Sequence, residues 1–76
     1  MVTCVLRCDQ NKALSEHTRE VIFHAVYTDE HGNRVNTEFA TATPWAELKM
    51  HVTNPAAFEK FVVGKFYNVD FTPRGT

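Results

Sequence analysis

The stretch REVIFHAVYT, Arg19–Thr28, carries two interleaved rows of side chains at a period of two. Val21, Phe23, Ala25 and Tyr27 form one row, and Ile22, His24, Val26 and Thr28 form the other. An alternating strand with one wet face would show only one apolar row. Two largely apolar rows predict a central strand, covered on both sides or set within a barrel-like sheet.

Upstream, Val2–Cys8 alternates, with Val2, Cys4, Leu6 and Cys8 on one face and Thr3, Val5 and Arg7 on the other. That is the pattern of a half-buried first strand. Asp9–Thr18 is polar and reads as a connection. Downstream, DEHGN (Asp29–Asn33) reads as a turn, because Gly32 takes φ > 0 freely and Asn33 tolerates it. Arg34–Thr41 reads as a weaker third strand near an edge, interrupted by Thr43-Pro44. WAELKMHVT then predicts a fourth strand, with Ala46, Leu48, Met50 and Val52 on a dry face and Glu47, Lys49, His51 and Thr53 on a wet one.

Asn54-Pro55 changes the period. Asn is a good N-cap and proline suits the first helical position. Phe58, Phe61 and Val62 follow at helical spacing, and Gly64 predicts the stop, giving a helix of about two turns. So short a helix needs its Phe pair docked on the sheet. In GKFYNVDFTP (Gly64–Pro73), Tyr67, Val69 and Phe71 form an apolar row before Pro73 ends the strand. The expected fold is therefore mainly β, a small α+β domain in the order β-β-β-β-α-β. Its sheet is five-stranded and mostly antiparallel, or a partly open OB-like barrel. The last strand is expected to cross over after the helix, pair far from the fourth strand, and close the sheet so that one edge disappears.

The 76 residues are enough for one domain, 1–76. Six Phe, two Tyr and one Trp argue against disorder. A formal net charge of −1 argues against a general polyanion binder. No segment approaches the roughly 20 apolar residues that span a bilayer, so no membrane partner is expected. The start, MVTCVLRCDQ, lacks the basic and apolar regions of a signal peptide, which predicts synthesis in the cytoplasm. On an extended strand Cys4 and Cys8 stand about 13 Å apart, beyond the roughly 7 Å that a disulfide allows, so both read as reduced thiols.

Candidate chemistry is thin. Cys4, Cys8, His17, His24, His31 and His51 lack the spacing of a zinc knuckle. A Cys–His pair needs an oxyanion site that no motif supplies. Asp29 and Glu30 sit in a turn, which explains them, with Asp70, more simply than a carboxylate dyad does. The three glycines stand apart, so no phosphate-binding loop forms. Phe66, Tyr67 and Phe71, with Lys49, Lys60, Lys65 and Arg74, are a candidate stacking platform for single-stranded nucleic acid, but core packing accounts for the Tyr67–Val69–Phe71 row. No catalytic residue, cofactor or metal is expected. Trp45, at a loop-to-strand junction, reads either as an exposed anchor for a protein partner or as a cap on the core.

AVYTDEHGN, TEFATATPWAELKMHVTNPAAFEKF and GKFYNVDFTP together resemble a group of small proteins encoded by tailed bacteriophages and prophages. The shared pattern is A-V-Y, then T-P, then N-P-x-A, then G-K-x-Y-x-V-D-F-T-P. The matching positions are Ala25, Val26, Tyr27, Thr43, Pro44, Leu48, Asn54, Pro55, Ala57, Gly64, Lys65, Tyr67, Val69, Asp70, Phe71, Thr72 and Pro73. The resemblance spans roughly residues 19 to 73. Trp45 departs from the group, which commonly has a small residue there.

This resemblance, with the missing catalytic motifs, implies a non-enzymatic accessory protein. The expectation is a virion protein, made in the host cytoplasm, that decorates or cements a capsid by binding a larger subunit. Trp45 and the Arg34–Thr41 edge (Arg34, Asn36, Glu38, Thr41) are expected to face that partner. The alternative is an early phage factor that binds a host protein or single-stranded nucleic acid through an OB-like surface. A homo-oligomer is left open.

Overall fold

The double apolar row of residues 19–25 forms a central strand, as expected, but one covered on a single face: Val21 and Phe23 are buried, whereas Ile22 and His24 on the opposite face are only half-buried. In the computed structural model, which describes residues 2–75, the strands are β1 (Val2–Ala13), β2 (Arg19–Ala25), β3 (Glu47–Val52) and β4 (Phe66–Phe71), with one helical turn, α1 (Pro55–Phe58), before β4. Met1 and Thr76 of the expected 1–76 domain lie outside the described residues. The strands form one open antiparallel sheet in the order β3-β2-β1-β4. β4 does cross over to pair with β1. It does not close the sheet, so the described residues form no barrel, OB-like or otherwise, and their strands number four and not five.

The missing strand is Arg34–Thr41. It forms no ladder beyond one isolated bridge between Thr28 and Arg34. Residues 26–46 make a long arm instead, and the arm pairs with β1 through side chains. β2 ends at Ala25, opposite Leu6, leaving the backbone of Val5 and Thr3 without a strand partner on that side. Asn36 fills the gap. Its Oδ1 accepts the Val5 N–H at 2.7 Å, and its Nδ2 donates to the carbonyls of Val5 and Val26, each at 2.8 Å. One residue pair further along, the Glu38 carboxylate accepts the Thr3 N–H at 2.9 Å. Asn36 holds φ at 64°, in the left-handed region that asparagine tolerates better than most residues. Asn36 is the one buried polar residue among those described.

β1 runs five residues past its expected end at Cys8. A bulge between Cys8 and Gln10 inserts one residue into the pairing with β2. The insertion shifts the phase, so Asn11, not Gln10, falls opposite Val21 on the inner face.

The inner face carries the core: Cys4, Leu6 and Cys8 from β1, and Val21 and Phe23 from β2. Leu48, Met50 and Val52 of β3 and Tyr67 and Val69 of β4 pack around them. The segment after β3 covers this face. Asn54 caps α1 by accepting the Ala56 N–H on its side chain, with Pro55 at the first turn. The helix has one turn and not two, because the carbonyls beyond it are used elsewhere. Asn11 Nδ2 donates to the carbonyls of Phe58 and Phe61, at 3.0 and 2.7 Å. The Tyr67 hydroxyl donates to the Lys60 carbonyl and accepts the Val62 N–H. Phe61 is thereby set edge-on to Phe23, with ring centroids 5.8 Å apart, and Tyr67 is edge-on to Phe23 at 5.5 Å. Gly64 ends the segment at φ 92°.

Replacing Asn36 with Ala strands the buried Val26 carbonyl and the part-buried carbonyl and N–H of Val5. We expect a loss of about 2–4 kcal/mol, because an unsatisfied buried group costs about 1–3 kcal/mol and the part-buried groups, which water can reach, cost less. Asn36→Asp is expected to fail similarly, since a carboxylate cannot donate to the two carbonyls. Urea denaturation of both variants is the measurement, and wild-type stability in Asn36→Ala would refute the role.

Candidate protein-docking surface

The arm of residues 26–46 is held at several points, which fixes what it displays. Near its start, Asp29 organises the turn. Its carboxylate accepts the N–H groups of His31 and Asn33, and its backbone pairs with Asn33 and Gly32. These bonds, the Asn33 N–H first, hold the Asp29 carboxyl below its usual range. The Val35 N–H then donates to the Tyr27 carbonyl, and Asn36 and Glu38 tie the middle of the arm to β1. Near its end, Tyr27 and Thr43 share a hydroxyl–hydroxyl hydrogen bond, and the Ala46 carbonyl accepts the Ala25 N–H. Pro44 is buried.

Between these ties the arm shows apolar surface to solvent. Trp45 is 79% exposed, the largest value among the exposed large hydrophobic residues, and Tyr27 and Phe39 are exposed as well. The core-cap reading of Trp45 is therefore excluded. Of the other residues expected to face a partner, Arg34, Glu38 and Thr41 are exposed and Asn36 is not. Asn36 is corrected to an internal role, because its carboxamide is fully engaged by Val5 and Val26. Glu38 is partly engaged too, by Thr3. Tyr27 and Phe39 were missed as surface residues. Tyr27 sits in the inner row of REVIFHAVYT by sequence alternation, but β2 stops two residues before it.

The remaining candidates are placed apart or already engaged. Cys4 and Cys8 are buried, and burial pushes both thiols above their usual value, away from the reactive thiolate. The Cys8 thiol meets the Gln10 carbonyl and not an imidazole. Asp70 accepts the Thr3 hydroxyl at 2.7 Å. Among the described residues, no group of three or more His, Cys, Asp or Glu side chains is placed to hold a metal ion. None of their helices is long and apolar enough to cross a membrane. The expected stacking platform is dispersed: Tyr67 is packed into the core, Phe66 is half-buried, and only Phe71 is exposed.

The outer face of the sheet is a row of linked charges. The His24 ring lies between two carboxylates, with Nδ1 2.6 Å from Asp9 Oδ2 and Nε2 3.0 Å from Glu47 Oε2. Arg7 Nε donates to the other Asp9 oxygen at 2.6 Å. Beside them, Glu20 accepts from Gln10 and contacts His51 Nε2 at 3.1 Å. The bonds to Asp9 and then Glu47 raise His24 above its usual 6.5. Arg7 first, then His24, holds Asp9 below its usual 3.8. Both nitrogens of His24 act as donors only in the imidazolium, so this face is built for a charged histidine.

The two shifts act on stability in opposite directions. The His24 contribution is present in full below about pH 6.5 and is lost as pH rises through its raised folded value. The Asp9 contribution is present above about pH 4 and is lost as pH falls through its depressed folded value. We expect the melting temperature to fall from about pH 6 to pH 9 and to be flatter over that range in His24→Gln. Equal slopes in the two proteins would remove His24 as the source.

Comparison with protein-family models, with curated proteins and with solved structures finds no match for this chain.

Proposed function

We propose that this chain is a non-enzymatic accessory protein of a tailed bacteriophage that docks on a larger virion subunit, with the 26–46 arm as its docking surface and Trp45 as the anchor. The observation that carries this reading is the 79% exposure of Trp45 on an arm tied down on both sides of it. An exposed indole on a fixed support suits a binding anchor, because little conformational freedom is lost when a partner closes over it. Arg34 and Thr41 supply polar rim positions. Tyr27 and Phe39 extend the apolar part. The phage origin rests on the shared A-V-Y, T-P, N-P-x-A and G-K-x-Y-x-V-D-F-T-P pattern.

Mass spectrometry of purified particles is the test. The chain is expected in copy numbers matching a capsid subunit. Trp45→Ala should leave the far-ultraviolet spectrum unchanged and weaken particle association at least about tenfold, the loss of a moderate anchor. Absence from particles, with the arm instead capturing a host protein, would replace this reading with the host-directed alternative.

A further inference from the structure

Among the described residues, the open sheet leaves β4 without a strand neighbour along its outer edge, and the chemistry of that edge fits a second copy of itself. In the pairing of β1 with β4, the Cys8 N–H donates to the Lys65 carbonyl. By alternation, the backbone groups of Tyr67, Val69 and Phe71 then face β1, and those of Phe66, Asn68 and Asp70 face outward. The other free edge, β3, carries Glu47, Lys49 and His51 at its outward positions. Such charges are the usual protection of an edge strand. At its outward positions β4 has Asp70 alone. Its inner row ends on Phe71, which is 56% exposed and lines an open apolar depression with Val2, Thr72 and Pro73.

We propose that two copies of this chain pair antiparallel along their β4 edges, about a two-fold axis at Val69, to form a continuous eight-stranded sheet. In this register the outward backbone groups of Asn68 meet those of the partner copy's Asp70, and the reverse, so each pair exchanges two N–H···O=C bonds. On the outer face the Asn68 carboxamide lies opposite a carboxylate, a charge-assisted donor–acceptor match made twice. On the inner face Val69 meets its own copy. The exposed ring of Phe71 comes opposite Tyr67, again twice, and cross-strand aromatic pairs are among the favourable ones. The register centred on Asn68 instead sets Asp70 against Phe66, and the one centred on Asp70 sets two carboxylates together. Of these three registers, self-complementarity selects the one centred on Val69, and the scarcity of charge at its outward positions selects the β4 edge. The proposal uses β4 and not the arm, so it stands or falls separately from the virion reading.

Cysteine crosslinking of the full chain tests it directly. Val69→Cys places two thiols at a pair not bridged by backbone bonds, within disulfide reach, and mild oxidation should yield covalent dimer. Asn68→Cys should not crosslink, because its own copy lies about two residues away along the partner strand. The native thiols, both buried, serve as the background in the unmodified chain. Sedimentation equilibrium should show a monomer–dimer equilibrium that Phe71→Ser weakens at least about tenfold. Amide exchange of Asn68 and Asp70 should slow with concentration, while that of Glu47 and Lys49 should not. A chain that stays monomeric to about 1 mM overturns the proposal. So does crosslinking of Asn68→Cys in place of Val69→Cys, or concentration-dependent protection at β3.

Discussion

The apolar face of a four-stranded sheet must be covered, and here one short segment covers it. The slab measures 41 × 36 × 17 Å, thick enough for a sheet and a single covering layer. The cover is the stretch from Asn54 to Gly64, and its grip on the sheet is the packing of Phe61 against Phe23 and Tyr67. That stretch has too few residues to form a stable helix by itself. It is held because two side chains on the sheet, Asn11 and Tyr67, bond its backbone directly. The Arg19 guanidinium adds a contact over the Phe58 ring, 5.4 Å from its centroid. Without the segment, Val21 and Phe23 would face water, and the sheet would lose the burial that offsets its ordering entropy.

Where a side-chain period carried the signal, the sequence was legible. The double row of Arg19–Thr28 led to a central strand covered on both faces; β2 is central, but only its Val21 and Phe23 face is covered, and its Ile22 and His24 face is the charged outer one. The alternation in Val2–Cys8, Glu47–Val52 and Phe66–Phe71 assigned the correct faces to Cys4, Leu6, Cys8, Leu48, Met50, Tyr67 and Val69. Asn54-Pro55 located the helix start to the residue. These are local signals, readable because each residue's burial depends mainly on its own strand's phase.

Two of the failures share one cause: polar side chains take the place of backbone. Asn36 and Glu38 alternate with less polar neighbours and so mimic a strand, yet it is their side chains that pair with β1. Asn11 sits in a polar run that reads as a loop, yet a bulge at Asp9 turns its carboxamide inward to cap the covering segment. Neither role leaves a periodic trace, because each depends on a partner some 30 to 50 positions away. Trp45 was legible as a residue of interest but not as exposed or buried, since Pro44 beside it went inside. The closure expected of β4 also failed on a distant condition. Closing the sheet would have required β3 and β4 to meet, and they lie at opposite edges of the open sheet.

What remains uncommitted follows from these assignments. Core packing takes up most of the inner face, and the outer face is stitched by Arg7, Asp9, His24 and Glu47 and by Gln10, Glu20 and His51. A chain of this size buries a limited share of its surface, so apolar groups left outside the core weigh heavily against it. The exposed aromatic groups lie at two places, the arm with Tyr27, Phe39 and Trp45, and the sheet corner where Phe71 pairs with Val2; the exposed aliphatic groups Leu14, Val62 and Val63 lie elsewhere. The two places differ in kind. The arm offers side chains on a fixed but irregular backbone, which suits a partner of complementary shape and different sequence. The β4 edge offers regular, unpaired backbone, which any strand in register can satisfy, and which its own copy satisfies with matched side chains as well. A small protein with both kinds of surface could use one to assemble with itself and the other to attach, and self-assembly would multiply the second contact through effective concentration.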